Sequence, residues 1–248
     1  MRKSHGLLAL ALLGASSAAM SQTTLPLDTG FNNSNFTIYN GNPPDNYWIK
    51  VAASTGSTPV PGFVIPAHPA WQTLPSSIGG LSRWVGPTAT GGSPSGQTTY
   101  ALFRKCFCLM PGYKQAQMNF KIRGDDIIGV WLNSVSNNIL PVQGGSFSGP
   151  AINGPAPAPQ FRTGRNCVYV LVVDTGSVVT GFNLAGTVSA YGLMPMASAG
   201  IGASFKPCAC EGPVTVSEQA TINAITKIAK GAVVKGGAVQ VQQDPRTR

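Results

Sequence analysis

The sequence predicts a mainly β protein, a sandwich or barrel of short antiparallel strands followed by one C-terminal helix. Three observations carry this. Segments that alternate apolar and polar residues with a period of two recur between turn signals. Only 10% of residues are charged, against roughly 25% in an ordinary soluble domain, which excludes a coiled-coil or long-helix chain. The 30 Gly and 20 Pro residues supply many turns, while 43% hydrophobic residues exclude disorder of the low-hydrophobicity, high-charge kind. At 248 residues the chain fits one large domain, or one domain with an appendage.

Taken in order, the elements begin with an export signal. Arg2 and Lys3 precede an apolar stretch from Gly6 to Gly14, and small residues follow from Ala15 to Ser21. This is the pattern of a cleaved secretory leader, and the apolar run is shorter than the roughly 20 residues of a membrane span. We expect residues 1–21 to be the signal peptide, 22–205 a β domain, and 206–248 a Cys-containing segment with helix and tail. Loss of Arg2 and Lys3 takes the formal charge from +9 to +7. The remaining cations are scattered singly, without the clusters that track a phosphate backbone, so no nucleic-acid partner is expected. A net charge of this size favours weak contact with anionic cell-surface polymers.

Asn32 to Tyr39 opens the mature fold, and Tyr47 to Ala53 reads as a strand. Pro59 to Gly96 is a long Gly/Pro-rich loop region holding Trp71 and Trp84. Thr98 to Met110 is a long strand. From Gln117 to Arg123, Met118, Phe120 and Ile122 alternate with polar neighbours, as on a half-buried strand. Gly124-Asp125-Asp126 supplies a turn into Ile127 to Leu132, predicting a hairpin. Pro141 to Gln160 is too rich in Pro and Gly for a central strand. Cys167 to Val173, apolar on both faces, reads as a central strand, and Phe182 to Tyr191 alternates as a half-buried one. Thr215 and Glu218 form a capping box, Ile222, Ile225 and Ala229 follow at helical spacing, Lys227 and Lys230 suit the last turn, and Gly231 is the expected stop.

Several motifs recur in a familiar order. Tyr47-Trp48-Ile49-Lys50-Val51 is followed by Arg83-Trp84-Val85-Gly86-Pro87 and Tyr100-Ala101-Leu102-Phe103. Gly124-Asp125-Asp126, Val130-Trp131-Leu132-Asn133, Asn166 to Asp174 and Thr180-Gly181-Phe182-Asn183-Leu184 through Tyr191 complete the set. Over about Asn32 to Tyr191 this resembles the galactose-binding-domain-like jelly rolls of exported bacterial surface proteins. The resemblance implies an antiparallel two-sheet jelly-roll sandwich, used for carbohydrate binding or structure without catalysis, with ligands held by loops at one end. No loop motif here maps onto such a site. Many of these proteins end in a Pro-Glu-Pro sorting tag and a membrane span. This sequence shows no such tail, so no transmembrane anchor is expected.

Five cysteines form two C-x-C pairs, Cys106/Cys108 and Cys208/Cys210, with Cys167 between them. Export permits disulfides. Metal binding and free thiols are the alternatives. Structural zinc prefers C-x₂₋₄-C spacing with His, and the sole mature histidine is His68, so no metal or cofactor is expected. Cys106 and Cys108 share one face of a strand. Bridging both to Cys208 and Cys210 would tie the C-terminal segment to the sheet and leave Cys167 free or paired between chains.

Asp125-Asp126 is the only acidic pair, and adjacent turn residues do not project across a scissile bond as a glycosidase needs. A hairpin turn is the plainer reading, with a calcium site as the alternative. Two Asp-Thr-Gly triplets, at Asp28 and Asp174, carry the pattern of a proton-sharing aspartyl dyad. Asp28, however, lies close behind the cleavage site. No Gly-x-Ser-x-Gly elbow is present. Trp48 and Trp131 read as core. Trp71 and Trp84 are candidates to stack on a sugar, or to cap the β core. The sequence thus predicts a secreted, periplasmic or cell-surface module, non-catalytic and structural or adhesive, with a glycan or assembly partner and self-association possible. A soluble lectin-like protein is the alternative.

Overall fold

The computed structural model describes residues 21–32, 37–56, 58–92, 97–155, 159–176, 178–194 and 213–234. The leader before Ser21, Cys208, Cys210 and the expected boundary at 205/206 lie outside these residues. In chain order the strands are β1 (Gln22–Pro26), β2 (Phe31–Asn32), β3 (Thr37–Ile38), β4 (Pro44–Ala53), β5 (Val60–Ile65), β6 (Trp84–Gly86), β7 (Thr99–Asp125), β8 (Ile127–Leu132), β9 (Asn138–Gly144), β10 (Ile152–Gly154), β11 (Gly164–Asp174) and β12 (Gly181–Leu193). One helix, α1 (Val216–Val234), follows.

The fold is mainly β, as expected; β2 and β3 form a small two-stranded ribbon, and one ten-stranded sheet, not clearly divided into the two of a sandwich, holds the other strands. Its order is β1-β12-β6-β5-β4-β7-β11-β8-β9, and β12 also pairs with β7. That last pairing closes β12, β6, β5, β4 and β7 into a five-stranded barrel. The device is β7, 27 residues long. Its first half, Thr99 to Leu109, lies between β4 and β11. Its second half, Lys114 to Asp125, pairs with β12, and Phe120 to Ile122 also pair with β10. Pro111-Gly112 reads as a break in the sequence, yet the strand carries through it. Gly112 and Gln115 take positive φ, and register shifts interrupt the ladder opposite, between Ser189 and Leu193. Bulges of this kind bend a strand without ending it.

Alternation along the strands separates two cores. Val168, Val170 and Val172 of β11 point into the main core with Trp48, Phe103 and Phe182. Cys167, Tyr169, Leu171 and Val173 point outward into a second layer roofed by Ile222, Ile225 and Ala229 of α1. This explains why β11 is apolar on both faces, and it places α1 on its own barrel. The capping box is present: Glu218 N–H donates to Thr215 Oγ1 at 3.3 Å, and Thr215 N–H to Glu218 Oε2 at 2.9 Å.

Three expectations need correction. The hairpin between Gln117–Arg123 and Ile127–Leu132 does not form. β8 pairs with β11 and β9 instead, because the chain at Gly124–Asp126 turns a corner between two parts of the sheet. α1 does not stop at Gly231 but runs to Val234, so neither Lys227 nor Lys230 is in its last turn. Buried Ala232 beyond the glycine supports that extension against the roughly 1 kcal/mol propensity cost of Gly. The long loop Pro59–Gly96 also contains β5 and β6, two strands of the barrel. Pro141 does sit in an edge strand, β9, where its missing N–H costs no ladder bond.

Candidate functional site

Most of the chemistry-bearing residues singled out in the sequence meet at one end of the barrel. β7 ends at Asp125, whose Oδ2 accepts the Trp71 Nε1–H at 2.8 Å. The Trp71 ring stacks on Trp84 with centroids 4.1 Å apart, and exposed His68 lies 6.0 Å from Trp71. Asp126 Oδ2 accepts from Thr175 N–H (2.8 Å), Thr175 Oγ1 (2.6 Å) and Gly176 N–H (3.1 Å). Asp174 Oδ1 accepts a second bond from Gly176 N–H at 2.9 Å. The carboxylates bind loop backbone and close the corner between β7, β8 and the end of β11.

Electrostatically, Asp125 and Asp126 behave as a pair. Burial, then the hydrogen bond with Asp126, pushes Asp125 up to about 7, with the Trp71 bond opposing and the charges of Asp126 and Asp174 adding. Burial also works against ionised Asp126. The hydrogen bonds from Asp125, Thr175 and Gly176 outweigh it and hold Asp126 below its ordinary value. Such an arrangement keeps one proton between two carboxyls near neutral pH. It does not present them to a substrate, since the pair is bonded to itself and to the loop. Trp71 and Trp84 are only 7% and 1% exposed and cover each other, so neither offers an open face for stacking.

The two Asp-Thr-Gly triplets do not form a dyad. Asp28 accepts from Ser76 Oγ, Ser77 N–H, Ser77 Oγ and Gly186 N–H, whereas Asp174 serves the loop after β11. Asp28 therefore pins the loop at 75–77 onto β12. Asn183 does the same for the loop's ends, accepting from Leu74 N–H and Ser82 Oγ.

The cysteine expectation is corrected at one pair. Cys106 is joined to Cys167, which is therefore not free. The two lie directly opposite on β7 and β11 with Cα atoms 4.1 Å apart, close enough for a bridge across the ladder. Sequence spacing could not reveal this, because the pairing register of strands 61 residues apart is a tertiary property. Cys108 is also disulfide-bonded.

Next to this bridge lies a cluster that sequence reasoning missed. Glu218 of α1 reaches Arg104 Nη1 and Arg165 Nε, each at 3.0 Å. Cys167 Sγ is 3.2 Å from Glu218 Oε1, a contact without a proton because the sulfur is oxidised. Cys106, Cys167 and Glu218 are the one group among the described residues whose donor atoms converge as a metal site would require. The disulfide removes both thiolates, and the two arginines occupy the carboxylate, so the group fits no metal. Burial, with the charge of Glu218 adding, raises Tyr169 well above the ordinary tyrosine value. The sequence signal was the basic pair Arg104-Lys105 between apolar residues of one strand.

Among the described residues, then, every carboxyl is engaged: Asp28, Asp45, Asp125, Asp126, Asp174 and Glu218, and none is exposed. Asp45 accepts from Gly30, Tyr47 and Trp48 N–H and faces buried Lys105, which lies 5.6 Å from the ring centroids of Phe31 and Tyr47. The exposed charges are cations: Lys114, Lys121, Arg162, Lys227 and Lys230. A depression of about 370 Å³, open to solvent, lies beside Lys121 and is lined also by Ser77, Asn119, Asn153, Ala185 and Gly186. No helix among the described residues is long and apolar enough to cross a membrane.

No protein-family model matches the chain, and no curated protein matches it. Two solved structures resemble parts of it. The PA14 domain of the antifreeze protein MpAFP is 13% identical with a TM-score of 0.24, over 43% of this chain and 47% of that one. The arabinose-bound α-L-arabinofuranosidase MgGH51 is 13% identical with a TM-score of 0.30, over 67% of this chain and 30% of that one. The chain thus spans less than half the length of either protein it resembles.

Proposed function

We propose that the chain is an exported, non-catalytic module that works by binding at a cell surface or in an extracellular assembly, in a structural or adhesive role. In this reading the closed barrel with its helix is a variant of the galactose-binding-like jelly roll. The observation that carries it is the state of the acids. Each described carboxyl is committed within the fold, to loop groups, a buried cation, a helix cap or, for Asp125, the Trp71 indole and Asp126, so none is presented to a bound substrate. His68, the sole mature histidine, bonds only its own loop among the described residues, accepting Ala70 N–H at Nδ1 at 3.3 Å. The test is a screen of purified mature protein for turnover of polysaccharide, peptide and ester substrates, run beside sedimentation over a concentration series. We expect no turnover. Hydrolysis abolished by Asp174→Asn in a still-folded protein would overturn the proposal. A second reading, a soluble carbohydrate-binding protein, is favoured by the open depression beside Lys121. It does not rest on Trp71 and Trp84, whose faces are covered.

A further inference from the structure

On the outward face of β10, of β7 from Gln117 to Lys121 and of the facing part of β12, no strand or helix among the described residues lies over the sheet; further along, Arg123 and Asn183 are covered by loops. Strand alternation puts Gln117, Asn119 and Lys121 on this side, all exposed. Cross-strand neighbours share a face, so the register extends each into a row. Lys121 stands between Asn153 of β10 and Ala185 of β12, Asn119 beside Thr187, and Gln117 beside Ser189. Three positions at a spacing of two residues span about 14 Å, the reach of a short oligosaccharide.

Among the described residues, the side chains of Asn119, Lys121 and Asn153 make no hydrogen bond or ion pair. They surround the open depression whose floor is Ala185 and Gly186. β12 and β7 approach closely beneath it: a Cβ on Gly186, on the inward side with Phe120, would come within 2.3 Å of the Asn119 carbonyl oxygen. One rim is the loop carrying Ser77, where Ile78 and Leu81 are 38% and 57% exposed. Amides, one ammonium group, a bare floor and nearby aliphatic side chains are the groups that hold a sugar ring, whose edges are hydroxyls and whose faces are C–H. The charge is one-sided. Asp28 lies below the rim, but its four donors, from Ser76, Ser77 and Gly186, cover it.

We propose that this face binds an acidic polysaccharide, with Lys121 pairing to a uronate carboxylate and Asn119 and Asn153 bonding to ring hydroxyls. The inference rests on the carbohydrate-binding reading above and names its ligand class and site. The experiment is calorimetric titration of the mature protein with polygalacturonate and with the same backbone fully methyl-esterified. Lys121→Glu is compared with Lys227→Ala/Lys230→Ala on α1, which changes the net charge equally. Asn119→Ala/Asn153→Ala tests the uncharged contacts. All these positions are exposed, and thermal melts confirm folding. We expect the acid form to bind and the ester to bind about fivefold or more weakly, as for an exposed ion pair. Lys121→Glu should lose about tenfold, the α1 variant less than about twofold, and the Asn variant about fivefold on both backbones. Equal losses from Lys121→Glu and the α1 variant would mean net charge alone and would overturn the site. Binding that survives both the Lys121 and the Asn variants would overturn the site and leave the carbohydrate reading standing. Equal affinity for acid and ester would overturn the uronate assignment. No binding of either polymer by the parent protein would overturn the site together with that reading.

Discussion

The two halves of β7 face opposite fates. In the first half Arg104 and Cys106 point outward, as Asn119 and Lys121 do in the second. Over the first half α1 closes a roof: Arg104 is 4% exposed and must be neutralised, which Glu218 does at 3.0 Å. Over Gln117 to Lys121 in the second half no described strand or helix closes, and Lys121 is exposed. A buried cation without its carboxylate costs several kcal/mol, while an exposed one costs almost nothing. One strand therefore makes the covered half a structural joint and leaves the bare half available for a ligand.

The sharpest way to break the covered half is to cut its bridge. Cys106→Ser/Cys167→Ser opens a link between residues 61 apart, worth about 4 kcal/mol in the chain-entropy model. Denaturant unfolding should show a midpoint lowered accordingly, and an unchanged midpoint would mean that the ladder alone holds β7 to β11. Glu218→Ala comes next, at about 3 kcal/mol, because it strands Arg104 and Arg165 and removes half of the capping box. Release of α1, seen as faster amide exchange over 216–232, limits the cost. Glu218→Gln should lose less, since it keeps the cap.

The corner between the halves gives a pH signature. Asp125 has a folded value of about 7 against an ordinary 3.8, so the folded state holds this proton more tightly. Its contribution is fully present below about pH 4 and is lost as pH rises through about 7. Asp126 acts in the opposite sense, its contribution being lost only as pH falls below the ordinary carboxylate range. Asp125→Asn should flatten the stability profile between pH 4 and 7 and leave the variant at least as stable as the parent at pH 8. Thermal melts across that range check it, and parallel profiles for the two proteins would refute it. The smallest effect belongs to the bare half: Lys121→Glu should shift stability by less than about 0.5 kcal/mol. A larger loss would mean that Lys121 is structural.

Much of the fold was legible because period-two alternation is a local property. β4, β8, β11, β12 and the capped start of α1 are all found where the pattern puts them. Even the two-sided apolarity of β11 announced a cover on each face. β5 and β6 were hidden because Gly and Pro dominate their surroundings, and the extent of β7 because Pro111-Gly112 reads as a break when it is a bend. The site was less legible. Asp125, Asp126, Asp174, Trp71 and Trp84 were all visible as residues, but their convergence was not.

The sequence by itself determined the alternating faces of most strands, the excess of positive charge and the presence of a capped helix, because each follows from composition or from short-range spacing. Only the tertiary structure decided that β7 closes a barrel, that Cys106 meets Cys167, that Glu218 answers two arginines, and that Lys121 stands between Asn153 and Ala185. Each of these depends on strand register between segments tens of residues apart. Register is set by how whole faces pack, and a shift of one residue would turn every one of these side chains to the other side.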